Sequence, residues 1–237
     1  LKLHVCDGRG FAKLNRALIV LIPKRCDAEE VGDYRPISLP HSFGKLFSKI
    51  MANRVSRRMP ELVGVNQSAF IQGRSLHDNF LLVRQVARKI HARRAPGVFL
   101  KLDISCAFNT ISWPFLFEVL RAKGFGSNFL RWVAILLQSA STRVIVNGNQ
   151  GKRFDHARGR RQGDPSSPLL FVIAMEVLSV LICRATSAGA LSSFNGIMAN
   201  QRLSLYADDV ALFVRPTEQY LACVREILQA FGHASGL

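Results

Sequence analysis

The segment SLYADDVALF, residues 204–213, places two adjacent aspartates between two short apolar segments. Residues 203–206 and 210–214 are predicted to be strands, and residues 207–209 the turn that joins them. Ionised carboxylates at a partly buried tip repel each other and lose hydration, so they require cations. The alternative interpretation is an ordinary hairpin turn, which aspartate also favours.

A third carboxylate, Asp103, favours the interpretation as a metal site. It is the sole acidic residue between Asp78 and Glu118, and it stands near the end of the apolar segment 98–104, a predicted strand. If this strand pairs with the hairpin, three carboxylates converge at one sheet edge and suit hard cations such as Mg²⁺. Two such ions about 4 Å apart support in-line phosphoryl displacement, which indicates a polymerase or a nuclease.

The charge of the chain points to a polyanionic partner. Its 237 residues include 32 Lys and Arg against 16 Asp and Glu, a formal net charge of +16, with 49% hydrophobic and 20% charged residues. This balance excludes intrinsic disorder and suits one large or two small globular domains. Three basic clusters favour a groove that follows a nucleic-acid backbone over simple solvated helix faces. They are 45–58 with five basic residues and no acid, 84–101 with six and none, and 152–161 with five and one.

Neither membrane spans nor cysteine-based sites are expected. The longest apolar run, 169–182, has 14 residues including Glu176 and Ser179, fewer than the roughly 18 of a spanning helix. The five cysteines are odd in number and far apart, which predicts reduced intracellular thiols and neither zinc nor a disulfide framework. The chain opens without Met or a targeting segment, and we expect it to be a fragment.

Strands alternate with helices without regular βαβ units, which predicts an α+β fold. Segments 17–24 and 34–39 are predicted to form a hairpin, and segments 43–59 and 75–93 to be helices. The other predicted elements are a helix capped by Ser112 and ending at Gly124, a helix over about 129–139, a strand over 142–146 leading into a turn at Asn147-Gly148, and a buried helix over 169–182.

Six motifs, in order, resemble those of reverse transcriptases. YADD at 206–209 resembles the C motif, KLDISCAFNTISW at 101–113 the A motif, and RQGDPSSPLLF at 161–171 the B motif. LIPK at 21–24, YRPISL at 34–39 and QSAFIQGRSLHDN at 67–79 are similar to non-LTR, LINE-type elements rather than retroviral enzymes, most closely to those of plant genomes.

The resemblance covers about residues 14–237 and implies the fingers and palm of a right-hand polymerase. Fingers are expected over about 14–97 and palm over 98–237 with interleaved helices, with residues 1–13 as an upstream flank. The palm would be an antiparallel sheet packed on helices, and the chain would end before the thumb.

The resemblance also assigns roles to individual residues. Asp103, Asp208 and Asp209 match the catalytic, metal-binding triad. The ring of Phe108 would exclude a ribose 2′-hydroxyl by steric clash, with a core aromatic as the alternative. The remaining nucleotide-binding matches are Gln162 and Gly163 over the incoming nucleotide, Lys24 and Arg35 on the triphosphate, and Arg74 on either the triphosphate or a template phosphate.

The implied function is RNA-directed DNA polymerisation for a LINE-type retrotransposon. Two Mg²⁺ ions, with Mn²⁺ as a substitute, would serve nucleotidyl transfer to a primer 3′-hydroxyl. The implied partners are an RNA template, a DNA primer or target site and deoxynucleoside triphosphates, in the nucleus and in a cytoplasmic ribonucleoprotein, with no membrane. The alternatives are an inactive remnant that only binds RNA, and a group II intron-type enzyme.

Four departures from the family pattern suggest a decaying copy. Cys106 stands where the family usually has Lys, Asn109 where it has Asp, Arg160 where it has an apolar residue, and Ser166 where it has Leu or Val. None of the four is a predicted metal ligand.

Overall fold

The computed structural model describes residues 10–104, 107–159, 161 and 163–237, with the backbone alone for Ala107 and Phe108. Within these residues the chain packs helices around two separate β-sheets. Strands and helices follow one another without a regular βαβ repeat, so the predicted α+β class is confirmed.

The five predicted helical segments are helical in the structure, with an interruption in the first of them. The predicted helix over 43–59 ends at Ser56 and restarts at Met59, because Pro60 in the new first turn has no N–H to continue the hydrogen-bond ladder. The bounds are α1 Phe11–Leu14, α2 Ser42–Ser56, α3 Met59–Leu62, α4 Leu76–Ala92, α5 Ala107–Thr110, α6 Trp113–Ala122, α7 Ser127–Gln138, α8 Ser167–Ser187 and α9 Glu218–Ser235.

The strands form one larger and one smaller sheet. Their bounds are β1 Arg16–Pro23, β2 Tyr34–Pro40, β3 Val98–Asp103, β4 Ser141–Val146, β5 Asn149–Gln150, β6 Phe154–Asp155, β7 Leu203–Tyr206 and β8 Asp209–Val214. The larger sheet has the order β2-β1-β4-β5, with β6 also paired to β4, and the smaller has the order β3-β8-β7.

The larger sheet contains the predicted hairpin of β1 and β2. These strands pair antiparallel from Ala17 opposite Pro40 to Pro23 opposite Tyr34. β1 also pairs in parallel with β4, which places Leu18 opposite Arg143. A parallel pairing of segments so far apart in sequence leaves no local turn signal, and the sequence did not predict it.

The smaller sheet confirms the expected pairing of the Asp103 segment with the hairpin. β3 is antiparallel to β8, and β8 is antiparallel to β7. The prediction that the turn includes Asp209 is wrong, because Asp209 already pairs within β8 and the turn consists of Ala207 and Asp208.

The core lies around α8, which contacts α6, α9 and α2. Within the described part of the chain, α8 is the one helix whose length and composition would allow it to cross a membrane, because it extends beyond the apolar run 169–182 at both ends. However, 61% of its most apolar window is buried inside the protein, as in the core helix of a globular domain.

Candidate active site

The three predicted catalytic aspartates lie at the same end of the smaller sheet. The register places Asp103 directly opposite Asp209, with Asp208 next to Asp209 in the turn. Residues directly opposite on antiparallel strands have Cβ atoms about 4.5–5.5 Å apart. The condition on which the sequence prediction depended, that β3 ends beside the hairpin, is therefore met.

The electrostatics of this sheet end disfavour three uncompensated negative charges. Burial raises the pKa of Asp208 above the usual carboxyl range, and the charges of Asp209 and Asp103 raise this pKa further. Lys101 partly compensates, since its Nζ lies 3.7 Å from Oδ1 of Asp209 and both side chains are largely exposed. A bound cation would relieve the same repulsion more strongly.

The donor chemistry of these residues fits a hard cation. Carboxylate oxygens are the ligands that Mg²⁺ prefers, and the two exposed carboxylates of Asp103 and Asp209 can rotate. In the described ranges, no three His, Cys, Asp or Glu side chains are already grouped as a metal site. A cation at this sheet end would compete with Lys101 for the carboxylate of Asp209.

The turn that carries Asp208 is held by a segment that overlaps the family motif at 67–79, in which the sequence predicted a role for Arg74 but none for Gln67 or Asn79. Gln67 forms an isolated parallel bridge with Leu205 of β7. The Leu205 N–H donates to the carbonyl of Asn66 at 2.8 Å, and the Leu205 carbonyl accepts from Nδ2 of Asn79 at 2.6 Å. The sequence held one signal of this contact: the motif is rich in amide side chains, and an amide that becomes buried needs a hydrogen-bond partner.

Lys24 and Arg35, predicted to grip the triphosphate, both lie on the hairpin of β1 and β2. Lys24 follows the end of β1, is exposed, and donates from Nζ to the Gly32 carbonyl at 2.7 Å. Arg35 is exposed on β2, opposite Ile22. The two cations are therefore solvent-accessible, and their contact with a triphosphate stays a prediction.

Arg74 has a structural task. It is partly buried, and its Nη1 donates to the carbonyls of Gly64 and Gln67 while Nη2 donates to the carbonyl of Val63. The guanidinium thereby closes the loop after α3 and holds the backbone of Gln67. Its predicted binding of a phosphate has no support from these contacts and stays a prediction.

Of the B-motif matches, Gly163 is described and Gln162 lies outside the described residues. Gly163 has φ +100°, and a Cβ there would meet the Ser38 carbonyl oxygen at 2.8 Å. The B-motif backbone thus approaches β2 so closely that only glycine fits. The predicted gate at Phe108 concerns a side chain outside the description, as do the departures at Cys106 and Arg160; the backbone of Phe108 lies in α5.

The third basic cluster is only partly a free surface, which corrects its prediction. Arg161 is buried and donates from Nη1 to the Asn15 carbonyl at 3.0 Å. Arg153 pairs with Asp155 at 2.9 Å. By contrast, the five basic side chains of cluster 45–58 and the six of cluster 84–101 are exposed.

Ser166, one of the departures, fits its surroundings in the structure. Its hydroxyl donates to Asp164 at 2.9 Å and its backbone N–H donates to the Ser48 hydroxyl at 3.1 Å, and all three residues are buried. Asp164 also accepts from Ser48. A buried polar group with its partners is stable in place, so this departure is not a packing defect.

Two cavities adjoin these elements. One, of about 550 Å³, lies beside the aspartates and is mainly apolar, with Phe80, Phe99, Lys101, Tyr206 and Asp209 in its lining. The other, of about 570 Å³, opens on the larger sheet and is lined by cationic side chains with no acidic one among its lining residues. These are Lys13, Arg16, Arg143 and Arg153.

Known proteins are similar to this chain in sequence or in fold. The chain is 30% identical over 200 residues to an uncharacterised 149 kDa protein of transposon TX1 from Xenopus laevis, covering 83% of this chain and 15% of that protein. It is 29% identical over 197 residues to the Pol polyprotein of the type-2 retrotransposable element R2DM from Drosophila melanogaster, covering 83% and 18%. The chain thus spans less than a fifth of the length of these relatives.

A plant protein matches a shorter segment, and a telomerase shares the fold. An uncharacterised mitochondrial protein of Arabidopsis thaliana is 41% identical over 69 residues, which cover 28% of this chain and 57% of that protein. The telomerase from Candida tropicalis, in complex with a fragment of telomeric RNA, superposes with a TM-score of 0.67 at 13% identity, covering 94% of this chain and 40% of that one.

The family model described as reverse transcriptase (RNA-dependent DNA polymerase) matches residues 22–237, which include all three aspartates of the sheet end. This span contains the last two residues of β1, the whole of β2, the entire smaller sheet and α8. The chain belongs to the reverse transcriptase family.

Proposed function

We propose that the chain is the fingers and palm portion of an RNA-directed DNA polymerase from a non-LTR, LINE-type retrotransposon. The observation that carries the proposal is the register that brings Asp103 opposite Asp209 beside Asp208, in a chain with 32 basic and only 16 acidic residues. The match to retrotransposon proteins along 83% of the chain supports the element class.

In this proposal Asp103, Asp208 and Asp209 hold two Mg²⁺ ions, with Mn²⁺ as a substitute. The ions would activate the primer 3′-hydroxyl and neutralise the charge of the triphosphate. Strands β3 and β8 hold the carboxylates in place from two sides. The carboxylates can therefore orient the reacting groups, which reduces the entropy lost on reaching the reactive geometry.

The nucleotide would lie between the three aspartates at the end of the smaller sheet and the β1–β2 hairpin of the larger sheet. Lys24 and Arg35 are exposed cations on the β1–β2 hairpin and would bind the triphosphate by charge-assisted hydrogen bonds. Gln162 and Gly163 would lie over the incoming nucleotide, and Phe108 would exclude the 2′-hydroxyl. Arg74 is assigned to the loop that it closes, with phosphate binding as a secondary role.

The proposed partners are an RNA template, a DNA primer or target site and deoxynucleoside triphosphates. The exposed clusters 45–58 and 84–101 supply charge for the phosphate backbone. We propose action in the nucleus and in a cytoplasmic ribonucleoprotein. We also propose that the parent element is of the plant type, on the resemblance of the six sequence motifs alone.

Primer extension on RNA and DNA templates tests the proposal, with Asp208→Ala beside the unmodified chain in the longest soluble form of the protein. Asp208→Ala is expected to abolish extension and to leave RNA binding intact, because the exposed basic clusters lie on other elements. Extension by the variant would overturn the catalytic assignment. No extension by either form, with RNA binding intact in both, would favour the RNA-binding remnant.

Sugar selection provides a second test in the same assay. Phe108→Ala is expected to raise the incorporation of ribonucleotides relative to deoxyribonucleotides, since a small side chain leaves room for a 2′-hydroxyl. If Phe108 is instead a core aromatic, the variant loses about 3–5 kcal/mol of stability with an unchanged incorporation ratio.

A further inference from the structure

We propose that Gln67 is a positioning residue for the metal-binding turn: its side-chain oxygen fixes the backbone from which Asp208 presents its carboxylate. The inference deepens the proposed function and rests on it. Gln67 lies far from the aspartates in sequence, in the loop between α3 and α4.

The contact that carries the inference joins Gln67 directly to the turn. Oε1 of Gln67 accepts the backbone N–H of Ala207 at 3.1 Å, one residue before Asp208. The same oxygen accepts the N–H of Ala69 at 3.0 Å, within its own loop. One acceptor therefore ties the turn to the loop, and both donors lie in buried surroundings where the loss of an acceptor is not made good by water.

Ala207 is the point at which the turn needs this support. Its φ is +54°, in the left-handed region that residues with a side chain rarely adopt. Such a conformation persists when surrounding contacts determine it. The hydrogen bond to Gln67 is one such contact, and the pairing of Tyr206 with Asp209 is another.

The orientation of the Gln67 amide is unambiguous. Both backbone groups that meet Oε1 are N–H donors, so a flipped amide would set its own donor against them. The side chain is 0% exposed, and Nε2 has no partner among the described residues. A buried amide with an unsatisfied donor lowers stability, whereas its acceptor end supports the turn.

Gln67 is itself held firmly enough to act as a support. Its carbonyl accepts from Nη1 of Arg74 at 2.7 Å. The neighbouring Ser68 N–H donates to the Leu205 carbonyl at 3.2 Å. The side chain therefore projects from a backbone that is fixed on both sides.

Binding of Mn²⁺ to the chain alone, without nucleic acid, measures the effect without relying on catalysis. Free Mn²⁺ is titrated by electron paramagnetic resonance against the full 237-residue chain, Gln67→Leu, Gln67→Glu, Asn66→Leu and Asp208→Asn. Asn66→Leu is the matched control, because Asn66 is buried in the same loop but its side chain donates to Ser179 on α8. The melting temperature is recorded for each.

Gln67→Leu is expected to raise the Kd for Mn²⁺ about 10- to 100-fold, the usual effect of removing a group that orients a metal ligand. Gln67→Glu keeps the acceptor oxygen and is expected to restore most of the affinity. Asn66→Leu is expected to lower the melting temperature and leave the Kd unchanged.

An unchanged Kd in Gln67→Leu, or equal increases in Gln67→Leu and Asn66→Leu, would overturn the positioning role and leave Gln67 as a structural residue. Failure of the proposed function looks different. In that case the unmodified chain and Asp208→Asn bind Mn²⁺ equally. This result would reject the proposed metal site and, with it, the positioning role of Gln67.

Discussion

The two functional hairpins of the chain are held in opposite ways. The tip of the β1–β2 hairpin, beyond the part of β1 that pairs with β4, closes on itself: Lys24 N–H donates to the Asp33 carbonyl at 2.8 Å, and Arg25 pairs with Asp33 at 2.9 Å. The β7–β8 hairpin is held from outside, since its Leu205 bonds to Asn66 and Ser68 of a distant loop and to Asn79 at the start of α4. Ile22 on the first hairpin is 48% exposed, and Leu205 on the second is 0% exposed.

This difference matches the tasks proposed for the two hairpins. A hairpin with local bonds and exposed side chains opens at low free energy, which suits an arm that must admit and release a nucleotide. A hairpin fixed by buried bonds to distant segments opens only when much of the domain unfolds, which suits ligands that must hold two ions in place.

The largest expected effect comes from truncating the buried hairpin. Leu205→Ala is expected to lower the free energy of unfolding by about 2–5 kcal/mol, because it leaves a cavity in the core. Ile22→Ala, at an exposed position, is expected to cost about 0.5 kcal/mol or less. Urea unfolding measures both, and equal losses would show that the two hairpins are anchored alike.

The larger sheet is expected to contribute to RNA binding through the cationic side chains of its cavity. Arg16→Gln combined with Arg143→Gln removes two cations from the larger sheet's cavity and is expected to flatten the log–log salt dependence of RNA affinity by about 1.4, or about 0.7 for each phosphate contact. Arg131→Gln with Arg225→Gln removes the same charge from exposed positions on α7 and α9. The same flattening in this control pair would assign the effect to net charge.

A smaller effect, on the pH dependence of stability, is expected at Glu176, which bonds to the loop that supports the β7–β8 hairpin. Burial raises the pKa of Glu176, although its carboxylate accepts the Gly64 N–H at 3.1 Å. The folded chain therefore holds this proton more tightly than the unfolded chain, and stability falls as pH rises from the ordinary value of 4.5 through the raised pKa.

Glu176→Gln keeps an acceptor for Gly64 and removes the titration, so its stability is expected to stay level through this pH range. Urea unfolding between about pH 4.5 and 7.5 compares the two proteins. A parallel fall in the variant would assign the pH dependence to other groups.

The smallest effect is expected at the turn itself. Ala207→Gly removes the left-handed strain of about 1–2 kcal/mol, but it loses a buried methyl group and adds freedom to the unfolded chain. These contributions nearly cancel, and the melting temperature is expected to change by less than about 5 °C. A larger fall would show that packing of the methyl group dominates.

Local patterns predicted most elements of the fold. Alternating and helical periodicities, with Ser112 as a cap, predicted helices and strands close to their observed bounds, because these signals depend on neighbouring residues. The break before Met59 and the early start of β8 at Asp209 were missed, since pattern alone defines element ends poorly.

The α+β class, the family and the approach of Asp103 to the aspartate pair could be predicted from the sequence, because apolar periodicity and motif order are properties of the chain. The partners of the buried polar side chains became known only from the folded structure. Gln67 reaches Ala207, Arg74 closes a loop and Arg161 bonds to Asn15. These partners come from segments that are distant in sequence and meet only in the folded chain. The identity of a polar residue shows that it needs a hydrogen-bond partner when buried, but not which residue the partner is.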